Sequence, residues 1–235
     1  MSTLNPPKSA SRRQELREDR VVTFYARAWQ YADQNRKLIY GILAAIIAVV
    51  LLIVIWTWNQ SRRADEAQVH LGRIVSVYEA GRFQQALEGG DGRLGLVEIA
   101  DQYGRTDAGN MARYFAADAY LQLGQMEDAR EYFSRFNKRE GLLGASAYAG
   151  EAAALEQLGQ FREAGDLYRQ AARHYQTAAT APTYLLNAGR AYEEAGAYDR
   201  AIDAYQTIRD EYAESPQASS IEAYIARAEA SRHAG

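Results

Sequence analysis

Three segments decide the fold: AADAYLQLGQMEDAREYF over 116–133, EAAALEQLGQFREAGDLY over 151–168 and AGRAYEEAGAYDRAIDAY over 188–205. Each has a small residue (Ala117, Ala152, Gly189), then Tyr120, Leu155 or Tyr192 three places on, then a glycine after four more (Gly124, Gly159, Gly196). Met126, Phe161 or Tyr198 follows, then Ala129, Ala164 or Ala201, and finally Phe133, Tyr168 or Tyr205. Offsets of three and four residues on either side of the glycine are helical, and glycine is the residue that most readily ends a helix in a left-handed conformation. Each segment therefore reads as helix, turn, helix, and because one such unit has nothing against which to bury its apolar face, the units must stack.

The segments recur at thirty-five and thirty-seven residues. In period and frame they resemble the tetratricopeptide repeat family, whose unit is a helix-turn-helix of about 34 residues. The sequence departs from that family at Arg113, Tyr148 and Leu185, where an early Trp is usual, and the terminal Pro is clear only at Pro216. Upstream, Gly81, Phe83 and Ala86 keep the frame until GGDGRLG (89–95) interrupts it, which reads as a flexible connection inside a degenerate first unit. Downstream, Ser215-Pro216 is a helix start, and Ile221, Tyr224, Ile225 and Ala228 form one apolar stripe, as expected of a capping helix. The units run 62–109 (degenerate, with the Gly-rich insertion), 110–144, 145–181 and 182–215, with the capping helix at 216–235.

Ahead of the repeats stands KLIYGILAAIIAVVLLIVIWTWNQSR (37–62), with no charge between Lys37 and Arg62. Residues 38–58 are apolar, small or aromatic on every side, where a soluble core helix would keep a polar face. At about 1.5 Å per residue this run spans the roughly 30 Å hydrocarbon core of a bilayer. Tyr40, Trp56 and Trp58 stand at its boundaries, and Arg36, Lys37, Arg62 and Arg63 flank it, the pattern of interface anchors. The run is longer than a cleavable signal and begins later, so it reads as a retained transmembrane helix. Before it, 1–10 reads as disordered and 11–37 as an amphipathic juxtamembrane helix, with Val21, Phe24, Tyr25, Ala28, Trp29 and Ala32 at helical spacing. The fold class is thus all-α: one transmembrane helix, then a tetratricopeptide-like solenoid with a C-terminal cap.

The net charge of −3 hides an asymmetry, because residues 1–37 hold eight Lys/Arg against four Asp/Glu while residues 62–235 hold nineteen against twenty-six. Eight basic residues in the leader favour a cytoplasmic N-terminus and a translocated C-terminal domain. An acidic body lacks the clustered cations that nucleic acid requires. No cysteine is present, which excludes disulfides, thiolate metal sites and Cys nucleophiles. His70, His174 and His233 lack ligand spacing, GGDGRLG lacks the Lys-Ser/Thr of a phosphate loop, and Glu193-Glu194 and Asp210-Glu211 read as solvated helix faces. No catalytic constellation, cofactor or small-molecule substrate is expected; most of the repeat tyrosines read as interhelical packing.

The tetratricopeptide resemblance implies a groove for a peptide or partner, lined from the first helix of each repeat by Met111, Tyr114, Asp118 and Gln122, then Glu156, then Leu186, Arg190 and Glu194. Of the cations and Asn residues with which some members clamp a peptide carboxylate, these positions offer only Arg190. The whole layout resembles the bacterial YfgM-like family, particularly in DGRLGLVEIADQYGRTDAGNMARYFAADAYLQLG (91–124). That resemblance implies an inner-membrane protein with a periplasmic repeat domain, ancillary to the Sec translocon and acting without catalysis. Its partners would be translocon subunits, a periplasmic peptidyl-prolyl isomerase and exported clients. A structural scaffold in another envelope assembly, such as division or outer-membrane maintenance, would use the same solenoid.

Overall fold

The structure, a computed structural model, describes residues 35–139 and 141–234 together with Trp29. The expected disordered stretch 1–10 lies outside the described residues, as does the amphipathic helix expected over 11–37 apart from Trp29 and residues 35–37. The chain divides into two compact units, 1–59 and 60–235.

In the first unit the described residues from Arg36 onward belong to helix α1 (Arg36–Glu79), which is long and apolar enough to cross a membrane. Its apolar run is exposed all round: Leu38, Ile46, Leu52 and Ile55 each keep more than half their surface. Tyr40, Trp56 and Trp58 are equally uncovered.

The second unit begins with the last part of α1, whose Ala67, Leu71, Ile74 and Val77 are buried at three- and four-residue spacing. Helices α2 (Phe83–Glu88) and α3 (Leu96–Gln102) follow, then three helix pairs: α4 (Asp107–Gln122) with α5 (Met126–Arg135), α6 (Leu142–Gln157) with α7 (Phe161–His174), and α8 (Ala181–Glu194) with α9 (Tyr198–Glu211). Each helix packs on the next, from α4 through α10 (Ile221–Ala234), as a solenoid must. The expected helix start at Ser215-Pro216 is first a 3-10 turn (Pro216–Ser220), with the Ser215 hydroxyl accepting the Ala218 N–H at 3.3 Å, and α10 then buries Ile221, Ile225 and Ala228 against the array.

The turn glycines perform one task four times. Gly81, Gly124, Gly159 and Gly196 lie at φ of 72, 76, 75 and 67°, where a Cβ would be strained. The next residue's N–H reaches back five places: Arg82 to Val77, Gln125 to Tyr120, Gln160 to Leu155 and Ala197 to Tyr192, at 2.8–3.2 Å. The glycine N–H bonds the carbonyl three places back, at 2.8–3.1 Å. This double closure is a Schellman cap, which satisfies carbonyls the helix leaves open and reverses the chain.

The insertion GGDGRLG is an ordered hairpin where the sequence suggested a flexible connection. Strands β1 (Gly89–Gly90) and β2 (Arg93–Leu94) pair antiparallel, in register Gly90 with Arg93 and Gly89 with Leu94. Asp91 and Gly92 both have positive φ (52 and 73°), the geometry of a type I′ turn, for which Asp-Gly is a preferred dipeptide. Gly95 closes the base: a Cβ there would stand 2.1 Å from the Leu87 carbonyl oxygen.

Alanine dominates the core, which forms two clusters, one from Ala67 to Ala147 and one from Ala152 to Ala228. Small side chains let helix backbones approach, and single aromatic rings fill the remaining space. The Phe133 ring lies on Gly150, Tyr192 on Gly165 and Tyr205 on Gly189, so closely that a Cβ would meet each ring at 2.1–2.6 Å. Between the clusters sits one nearly buried ion pair, Lys138 with Glu151 at 3.0 Å, their side chains 10% and 14% exposed.

Candidate functional site

The structure separates the eight groove residues into two groups. Met111 and Tyr114, on α4 with Asp118, pack against the first core cluster. Tyr114 meets Phe115, Phe133 and Phe136 with ring centroids 5.5–6.0 Å apart. Asp118 accepts a hydrogen bond from the Tyr78 hydroxyl, forty residues upstream. Glu156, on α6, accepts from the Tyr168 hydroxyl at 2.7 Å, and the Arg190 charge also acts on that phenol, so Glu156 and Arg190 share one neighbourhood. Leu186 is partly buried against the second cluster. Gln122, Arg190 and Glu194 are exposed. Five of the eight are thus engaged within the chain, and three face solvent. Of the interface residues, Arg36, Lys37, Arg62 and Arg63 are exposed, as are the three rings.

A recurring device, absent from the sequence reading, is a tyrosine hydroxyl donated to a carboxylate of another helix. Besides the pairs of Tyr78 and Tyr168, Tyr192 donates to Asp166 at 2.6 Å and Tyr205 to Glu193 at 3.2 Å. Burial first, and then the facing carboxylate, raises the pKa of all four phenols, that of Tyr192 to about 12. Burial also pushes Tyr132 up to about 12. A phenol whose folded pKa lies above its unfolded value of about 10 contributes stability that is complete below pH 10 and is lost as pH rises through the folded value. Tyrosine absorbance at 295 nm should therefore show a phase above pH 11, carried by these buried phenols and accompanied by loss of helical circular dichroism. One smooth titration near pH 10 with the helices intact would contradict the assignment.

Ion pairs join helices one repeat apart, Asp101–Arg135, Asp166–Arg200 and Arg169–Asp203 at 2.7–3.3 Å and Glu193–Arg227, and Asp199–Arg232 at 3.0 Å joins α9 to α10. Partners stand thirty-three or thirty-four residues apart in sequence. Exposed pairs contribute little stability, so the ladder mainly records the register in which repeats stack.

Two of the three histidines pack, and His233 is exposed. His70 stacks on Tyr103, and His174 contacts the Tyr148 ring and bonds the Arg139 carbonyl through Nε2 at 2.7 Å. Among the described residues no group of three or more His, Asp or Glu is placed to hold a metal ion.

The tetratricopeptide repeat family model matches residues 98–141 and 149–218. No curated protein matches the chain. The solved structure of a Gln-to-Met variant of a Podosopora anserina putative kinesin light chain, with nearly identical TPR-like repeats, aligns at a TM-score of 0.52 and 17% identity, covering 72% of this chain and 88% of that one. Family model and backbone agree on the fold: an all-α, tetratricopeptide-like solenoid that follows one long apolar helix. Folds of this class present extended surfaces to other proteins rather than an enclosed catalytic cleft.

Proposed function

We propose that this chain is a membrane-anchored adaptor of the bacterial cell envelope that binds proteins along its repeat domain. One observation carries the reading: the exposed apolar run and the first buried face of the solenoid belong to a single helix, α1. A binding surface tethered in this way meets membrane partners at raised effective concentration. The leader's basic residues favour a cytoplasmic N-terminus and a periplasmic solenoid in the inner membrane. The layout shared with the YfgM-like family points to the Sec translocon, a periplasmic peptidyl-prolyl isomerase and exported clients as partners. Gln122, Arg190 and Glu194, the exposed members of the groove set, are the positions free to contact them. The domain limits 62–109, 110–144, 145–181, 182–215 and 216–235 belong to the same proposal.

Affinity purification of the full chain in mild detergent tests it. Translocon subunits and exported proteins should co-purify, and Gln122→Arg combined with Arg190→Glu should reduce their recovery about tenfold, the effect of losing about 1.4 kcal/mol of binding. Recovery of a division or outer-membrane assembly alone, unaffected by these substitutions, would replace the translocon reading with that of a scaffold elsewhere in the envelope.

A further inference from the structure

A polar cavity of about 250 Å³ opens where α1 passes the loop between α3 and α4, within the second unit, and Gln60, Arg63, Asp101, Arg105, Thr106 and Arg113 are among the residues that line it. Three of these are arginines. Among the described residues none of the three forms an ion pair, while the carboxylate present, Asp101, is bonded to Arg135 at 3.3 Å. Asp107, at the start of α4, turns to Arg139 at 3.1 Å. Arg63 and Arg105 are exposed; Arg113 is partly covered, and its Nε is buried with no hydrogen-bond partner among the described residues. A buried unsatisfied donor on a charged group is costly, and only the part of the Arg113 guanidinium that lines the cavity can meet a ligand there. The guanidinium lies against Gly104, where a Cβ would stand 1.9 Å from Nη2, so any larger residue at 104 would displace it. Burial and the neighbouring Arg135 lower the Arg113 pKa, a penalty that a bound anion would relieve.

We infer that this pocket binds a phosphate group, held by the forked donors of Arg63, Arg105 and Arg113. Planar guanidinium groups match phosphate oxygens in pairs, and the cavity is large enough for one phosphate ester and its first substituents. Arg63 follows Trp58 by five residues, a span that even fully extended reaches at most about 18 Å. The site therefore stays close to whatever surface holds Trp58, and on the membrane reading proposed above, on which this source depends, the phosphate is that of an anionic lipid headgroup. A soluble phosphate offers the same chemistry.

Thermal unfolding of the full chain in neutral detergent micelles, followed by circular dichroism, distinguishes the sources. Added phosphatidylglycerol should raise Tm saturably, by about 4 °C at tenfold saturation, while phosphatidylcholine should not. Arg105→Gln with Arg113→Gln should abolish the response; exposed Arg105→Gln alone, which disturbs no core contact, should weaken it several-fold; Arg162→Gln on α7 should leave it intact. An equal rise with inorganic phosphate at matched ionic strength would support the phosphate site and assign it a soluble ligand. No rise with either, or equal loss in Arg162→Gln, overturns the site. Carbonate extraction of cell membranes is read separately: release of the chain would defeat the membrane reading while leaving the Tm result to judge the pocket.

Discussion

Replacing Lys138 with Met should lower the stability of the repeat domain by about 3 kcal/mol or more, the usual cost of breaking a buried ion pair from one side. Lys138 lies 3.0 Å from Glu151, donates from Nζ to the Phe133 carbonyl at 2.6 Å and stands over the Tyr148 ring. It thereby closes the exposed end of α5 and bridges the two core clusters. Removing the ammonium leaves a carboxylate with little water around it. In thermal unfolding the loss should appear as a fall in Tm of about 6 °C or more. Lys138→Met with Glu151→Leu should recover most of it, because the cost lies in the abandoned charge rather than in the pair's net worth. A single variant as stable as the parent would show that Glu151 is solvated and that the pair joins nothing.

Gly189→Ala should be destabilising by about 1–3 kcal/mol, although alanine is the better helix former. The new methyl would lie 2.1 Å from Cε1 of Tyr205, whose ring is fully buried, tied to Glu193 by its hydroxyl and packed on Tyr224. The ring has no room to retreat without breaking those contacts. Gly72→Ala, on an exposed face of α1 with nothing within 4 Å, should raise stability by up to about 1 kcal/mol. The same substitution thus changes sign between two helical glycines. Paired denaturant titrations measure the difference; equal shifts in the same direction would mean that Tyr205 does not pack on Gly189 as described.

The solenoid was legible because its signal repeats. The small residue, the glycine and the aromatic recur in each unit, and the structure uses each as read: close helix approach, Schellman cap and ring in the gap. The same period carried a second signal that went unread: the charges of Asp166 and Arg200, or Glu193 and Arg227, fall one repeat apart. The hairpin was legible too, since Asp91-Gly92 is a type I′ signature, but glycine-rich composition suggested flexibility instead. The candidate site was only partly legible. Tyr114 and Asp118 sit at positions that face a groove in related repeats, yet here an aromatic cluster and the Tyr78 hydroxyl engage them, and no local pattern reveals a partner forty residues away. Arg113 stood out only as a departure from the repeat frame; its burial beside Gly104, which sequence periodicity does not encode, makes it a candidate ligand residue.

On the proposed function, the tethered solenoid holds protein partners on the first helix of each repeat. Site-specific photocrosslinking in native membranes addresses it directly, with the probe placed in turn at Gln122, Arg190 and Glu194 and, for comparison, at the exposed residues Glu127 and Arg162 at the starts of α5 and α7. Discrete protein adducts are expected from the first three positions, weak or absent at the other two, and lost when the chain is extracted into harsh detergent. Adducts confined to Glu127 and Arg162, or none from any position in intact membranes, would contradict the proposed function.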